Sequence, residues 1–225
     1  MRILGQRTPI DVFRLDLVYL IAALTAEEDK PPVQALATPL VSVLAELRNE
    51  RGALEQAEEI LVSNQALLNR RDDKTDKRTT EVGGIARAAH KELYPLLFTN
   101  YAPSAVGKLA LGEQLKENER IQGIIASLDP AHPLHLAYQA DLATDISALK
   151  DALASTGQAN TALKLAQVKI RQLKAKIDTL RVQTQGELLK IFGNKEEAER
   201  FFRKSNSVPS KEDGSDAEPA QSPTP

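Results

Sequence analysis

The chain has no cysteine and no tryptophan, a single methionine, and only 4 % aromatic residues among its 225 positions. Without a thiol there is no disulfide, thiolate metal site, iron–sulfur cluster or cysteine nucleophile. With so few rings, a core has to be built from Leu, Ile, Val and Ala, which suits helix packed on helix. A surplus of charge is missing as well: the formal net charge is −2, so no global field points to nucleic acid or to a membrane surface. Leu17 to Leu24, LVYLIAAL, is an apolar run of eight residues, where a membrane-spanning helix takes about 20. Ala-Leu-Thr-Ala at 23–26 loosely matches a secretory cleavage site. Asp11, Arg14 and Asp16 interrupt its lead-in, however, and the segment reads as a buried helix.

What is present is a balance of 42 % hydrophobic and 27 % charged residues arranged at helical spacing, which predicts a folded, soluble, all-α chain. Thr8-Pro9 with Asp11 has the chemistry of a helix start: a hydroxyl for free N–H groups, a proline in the first turn and a carboxylate near the positive end. Ile10, Phe13, Leu17, Leu20, Ile21 and Leu24 then share one face of a first helix that runs to about Ala26. Charge and the Pro31-Pro32 pair break it, and Thr38-Pro39 repeats the start signal for a second helix over 39–71.

Leu40, Leu47, Leu54, Leu61 and Leu68 recur every seven residues along that second helix, a stripe of roughly 50 Å at about 1.5 Å per residue. A self-dimerising zipper would want apolar residues three or four places on as well. The positions three on from Leu47, Leu54 and Leu61 are Glu50, Ala57 and Asn64, and those four on are Arg51, Glu58 and Gln65. An internal seam of a bundle is therefore expected in preference to a zipper.

Arg70 to Arg78, RRDDKTDKR, reads as a mixed-charge turn or an extension of its neighbours, and Gly83-Gly84 weakens any helix drawn through it. A third helix is expected to Phe98, with Pro95 bending its last turn, and a fourth over about 104–128. The longest helix is expected over 134–192, ended by Gly193-Asn194, with Asn194 and Glu197 spaced as a capping box for a short last helix. The expected architecture is an elongated antiparallel bundle of four long helices plus short terminal ones over 1–205. Ser, Pro, Lys, Glu, Asp and Gly dominate 206–225, which reads as a disordered acidic tail.

No chemical motif survives inspection. A di-iron bundle needs Glu-x-x-His on two helices, and that spacing is absent. His90, His132 and His135 are the only histidines, and with Asp129 nearby the latter two read as polar turn residues. Gly107-Lys108 imitates a phosphate loop, yet Ala102 stands where its first glycine belongs and Leu109 replaces the required hydroxyl. Neither a Gly-x-Ser-x-Gly elbow nor a Gly-x-Gly-x-x-Gly fingerprint occurs. No enzyme, cofactor, metal or small-molecule substrate is expected.

The strongest charge feature is the cation-rich stretch Lys164, Lys169, Arg171, Lys174, Lys176 and Arg181, offset by Asp178. It is a candidate contact for an anion or a partner. The second helix carries Glu46, Glu50, Glu55, Glu58 and Glu59 against Arg48 and Arg51, so antiparallel packing would pair the two stretches without any ligand. Arg71-Asp72 after a long helix, the Ala-rich third helix and Ala159-Asn160 in the last one resemble a pattern in uncharacterised bacterial helical-bundle proteins, over about 70–180. That resemblance implies a bundle and no activity. The sequence thus predicts a cytoplasmic helical interaction or scaffold protein that contacts an unidentified protein or itself. Nucleic acid and membrane are the disfavoured partners, the first through the basic stretch, the second through release of the first helix.

Overall fold

The computed structural model describes residues 3–203, and all regular structure among them is α-helix. The tail expected at 206–225 lies outside the described residues. The elements are α1 (Ile10–Thr25), α2 (Pro31–Ala35), α3 (Ala37–Ala89), α4 (Tyr94–Leu97), α5 (Pro103–Val106), α6 (Leu111–Ala126), α7 (Pro133–Phe192) and α8 (Lys195–Arg200). Two of these are long, 53 residues in α3 and 60 in α7. Instead of four long helices there are thus two, with α1 and α6 at 16 residues each.

The difference arises at Arg70–Arg78 and Gly83-Gly84, where no turn forms and α3 continues to Ala89. Thr75 and Thr79 are fully buried there and Arg78 is paired with α7, so these polar residues occupy a packed face rather than a solvated turn. Gly83 is retained for space: a Cβ at that position would overlap the Pro103 ring and stand 3.3 Å from Phe98. The helix sought at 104–128 is split. Pro103 opens the single turn α5, Gly107 follows it, and α6 starts only at Leu111. Pro31, Pro95 and Pro103 each stand in the first turn of a short helix, where a missing N–H costs nothing.

The chain divides into two compact units, Met1–Leu47 with Leu173–Pro225, and Arg48–Gln172. In the first, Phe13, Leu17, Leu20 and Leu24 of α1 are buried with Leu40, Val43 and Leu47 of α3 and with Leu173, Ile177 and Leu188 of α7. Leu17, Leu20 and Leu24 are therefore core while Val18 and Tyr19 on the other face are exposed, and each such leucine contributes about 1.5–3 kcal/mol. The Thr8 hydroxyl does not cap α1; it turns back to donate to the Leu4 carbonyl. Gly193 ends α7 at φ +65°, and Asn194 caps α8 by accepting from the Glu196 amide at 2.8 Å.

In the second unit α3 and α7 run antiparallel. Asn64 Nδ2 donates to the Ser155 carbonyl at 3.2 Å, the Thr156 hydroxyl bonds the Asn64 carbonyl, and Lys169 stands 3.8 Å from Glu50. Along α7, Leu149, Ala152, Thr156, Ala159, Ala166 and Ile170 are buried at alternating steps of three and four, with Leu163 half-buried between them. That is a heptad seam, and its small residues face the stretch of α3 that supplies Leu54 and Leu61. At the far end α6 joins the pair, and Ile121 and Ile125 share a core with Val82, Leu97, Leu134 and Leu142.

Gly83→Ala should destabilise the protein by about 1–3 kcal/mol, because a stiff proline ring has to move. Gly84→Ala, which meets nothing within 4 Å, should instead stabilise it by about 0.5–1 kcal/mol through helix propensity. Thermal or urea unfolding of the two variants checks this, and equal effects would contradict the close approach of Pro103.

Candidate interaction surface

The six cations of the basic stretch have different fates. Lys164, Lys169 and Arg171 belong to the second unit and are exposed, and only Lys169 has an ion-pair partner there, Glu50. Lys174, Lys176 and Arg181 belong to the first. Lys174 donates to the carbonyls of Thr8 at 2.7 Å and Gln6 at 3.3 Å, and burial pulls its pKa below the usual lysine value. Lys176 pairs with Glu46 at 2.5 Å. Arg181 is 3 % exposed, so it leaves the candidate surface altogether: its guanidinium donates to Asp16 at 3.1 Å and Asp178 at 3.0 Å. Asp178 also accepts from the amides of Leu4 and Gly5, which ties down the segment before α1. Burial raises the Asp16 pKa, and the Arg181 charge opposes that shift.

The second unit also holds a buried polar network that the apolar spacing alone does not reveal. Asp72 and Asp76 of α3 both accept from the side-chain amide of Gln114 on α6, at 2.7 and 2.5 Å. One turn along, the Thr79 hydroxyl donates to Asn118 at 2.6 Å, leaving the Asn118 amide nitrogen buried without a partner. On α7, Asp145 is 2 % exposed and holds Lys74 at 2.6 Å and Arg78 at 3.3 Å. Arg120 donates to the carbonyls of Leu96 and Leu97 at the end of α4 and grips Glu117, and that bond lowers the Glu117 pKa. Burial, and next to it the charge of Asp72, raises that of Asp76. The signal for this network was available: Asp72, Thr75, Asp76 and Thr79 recur at helical spacing where the apolar stripe lapses.

Between the two ends of the second unit lies a stretch with little over it. From 48 to 67 α3 has no buried side chain at all, and from 153 to 169 α7 buries only Thr156, Ala159 and Ala166. Ile60 is 47 % exposed, Val62 70 %, Leu67 46 % and Leu165 60 %. On one side of the helix pair, Ala53, Ala57, Ile60, Ala162 and Leu165 line a groove of about 410 Å³, with Glu50 and Lys169 at one end. Isolated exposed leucines are ordinary; here the exposed Ile60 and Leu165 share one groove with the alanines between them.

The other residues singled out by sequence have local explanations. Gly107 packs so close to the Asp76 carboxylate that a Cβ would overlap it, which accounts for the glycine without a phosphate. His132 lies beside His90, ring centres 4.6 Å apart, and its Nδ1 accepts from the Leu134 amide. No group of three or more His, Cys, Asp or Glu among the described residues is placed to hold a metal ion. No helix among them is long and apolar enough to cross a membrane. Comparison with protein-family models, with curated proteins and with solved structures finds nothing that matches this chain.

The raised pKa of Asp76 couples stability to pH. The folded protein keeps a proton that the unfolded chain releases near 3.8, so stability falls as pH rises from there through the raised value. Asp76→Asn has no proton to lose and can still accept from Gln114. The excess of its melting temperature over that of the unmodified protein should grow from pH 4 to pH 7; a difference constant with pH would contradict the burial of a charged Asp76. Glu117, whose shift has the opposite sign, is common to both proteins and cancels.

Proposed function

We propose that this chain is a non-enzymatic helical interaction or scaffold protein, and that the open stretch of α3 and α7 in its second unit is the surface that engages another protein or a further copy of itself. The observation that supports this is the apolar groove along Ala53, Ala57, Ile60, Ala162 and Leu165, on helices whose neighbouring turns are covered. Helix pairs with such grooves bind a further helix through small side chains that allow close approach.

The competing reading, a basic face for nucleic acid, has less support. Lys169, Lys174, Lys176 and Arg181 are all engaged by groups of the chain itself. Lys164 and Arg171 remain, two cations where a phosphate backbone is usually met by several. Membrane insertion by α1 would first have to withdraw Phe13, Leu17, Leu20 and Leu24 from the core.

A photo-crosslinking residue at Leu165 in the native host should capture a defined protein product, the chain itself included, whereas the same residue at Glu113, exposed on α6, should not. Products that are the same at both positions, or absent at both, would sink the proposal. Salt-sensitive binding of duplex DNA that is lost on neutralising Lys164 and Arg171 would favour the competing reading instead.

A further inference from the structure

Resting on that reading, we infer that the occupant of the groove is a second copy of this chain, related by a two-fold axis parallel to the helices, so that α3 of each copy lies against α7 of the other. Most of the charge on the two open stretches lies away from the groove, on Arg48, Arg51, Glu55, Glu58, Lys164 and Arg171. The two charged residues that line it are Glu50 and Lys169, which stand level with each other, 3.8 Å apart. An axis along the helices keeps every residue at its own level while exchanging α3 for α7. Glu50 then meets the partner's Lys169, and Lys169 the partner's Glu50, giving a ring of alternating sign. An axis across the helices would set α3 on α3 and separate these groups.

The groove already holds an acceptor without a donor. Glu50 Oε2 is buried and makes no hydrogen bond, because Lys169 stops short at 3.8 Å, and the Lys169 side chain is 62 % exposed. The Glu50 side chain is still 27 % exposed in the single chain, and a second ammonium from the other copy meets the carboxylate on that open side, with the strength of a charge-assisted bond.

Shape follows the same operator. The register that sets Glu50 beside Lys169 and Asn64 beside Ser155 also sets Ile60 level with Ala159, Ala57 with Ala162, and Leu165 close to the level of Ala53. Under the two-fold, the exposed Ile60 meets the partner's Ala159 and the exposed Leu165 meets the partner's Ala53, a large side chain against a small one each time. The surface is thus complementary to itself, as an isologous interface requires. Within the second unit α6 does not obstruct it. Asp72 and Thr79, which face α6, continue in steps of seven the row of Glu58 and Gln65, whereas the groove uses the row of Ala53 and Ile60.

The test uses the full chain across a concentration series, by light scattering and sedimentation equilibrium. The expected species is a dimer of twice the 24.6 kDa chain mass. Ile60→Asp and Leu165→Asp should each weaken it about tenfold or more while leaving the circular dichroism unchanged, since both side chains are exposed in the single chain. Glu50→Lys and Lys169→Glu should each be monomeric alone and should form a one-to-one heterodimer when mixed, a rescue that the ion pair within one chain cannot produce. A monomer at every concentration, a dimer indifferent to Ile60→Asp and Leu165→Asp, or charge variants that fail to pair on mixing would each overturn the inference. A monomer that still cross-links another protein through Leu165 leaves the interaction reading standing; a monomer that cross-links nothing ends both.

Discussion

Antiparallel pairing of α3 with α7 is the constraint on which the rest of the second unit depends. Its seam is asymmetric, with leucines every seventh residue on α3 and mainly alanine and threonine in the buried positions of α7 between Leu149 and Ile170. Small residues let two helices approach closely, and close approach leaves little apolar surface buried per turn. A seam of this kind holds register through hydrogen bonds and ion pairs, here Asn64 to Ser155, Thr156 to Asn64 and Glu50 to Lys169. It gains bulk stability only where a third helix adds a core, as α6 does around Ile121 and Ile125. The turns of the second unit that α6 does not reach are left open.

Polar groups secure α6 as much as apolar ones do. The Gln114 amide shared by Asp72 and Asp76, and the bond from Thr79 to Asn118, fix the register of α6 on α3, because a slip of one residue would leave buried acceptors unpaired. That specificity costs stability. Burial, and after it the neighbouring charge of Asp72, disfavours the ionised Asp76 and raises its pKa. In the first unit, Asp16, Asp178 and Arg181 form a comparable buried set in which one guanidinium satisfies two carboxylates.

Much of the helical layout was legible in the sequence. The first helix, the long one ending at Gly193-Asn194 and the burial of Leu17, Leu20 and Leu24 follow from apolar spacing, and the structure agrees on each, although Thr8 does not supply the cap that its position suggested. Where the pattern misled, polar residues had a hidden partner. Arg70 to Arg78 looks solvated because nothing local reveals that Gln114 and Asp145 wait on other helices. Arg181 looks like a surface cation because its partner Asp16 lies 165 positions away. The zipper test on the leucines of the second helix found Glu50, Ala57 and Asn64 at the partner positions, and those are the residues that meet the small side chains, the backbone carbonyl and the lysine of α7. Periodicity reports which face is used; it does not report by what.

In the second unit the stretch of α3 and α7 that α6 leaves uncovered is open in a single chain, and the proposed dimer closes it. Amide hydrogen exchange across a dilution series reads this directly. If the stretch is open, amides in 50–64 and 155–169 should exchange faster than those in 68–86 and 142–152 in dilute protein, and should slow as concentration rises while the ends stay unchanged. Protection in the middle that equals the ends at every concentration, or that does not respond to concentration, would contradict it.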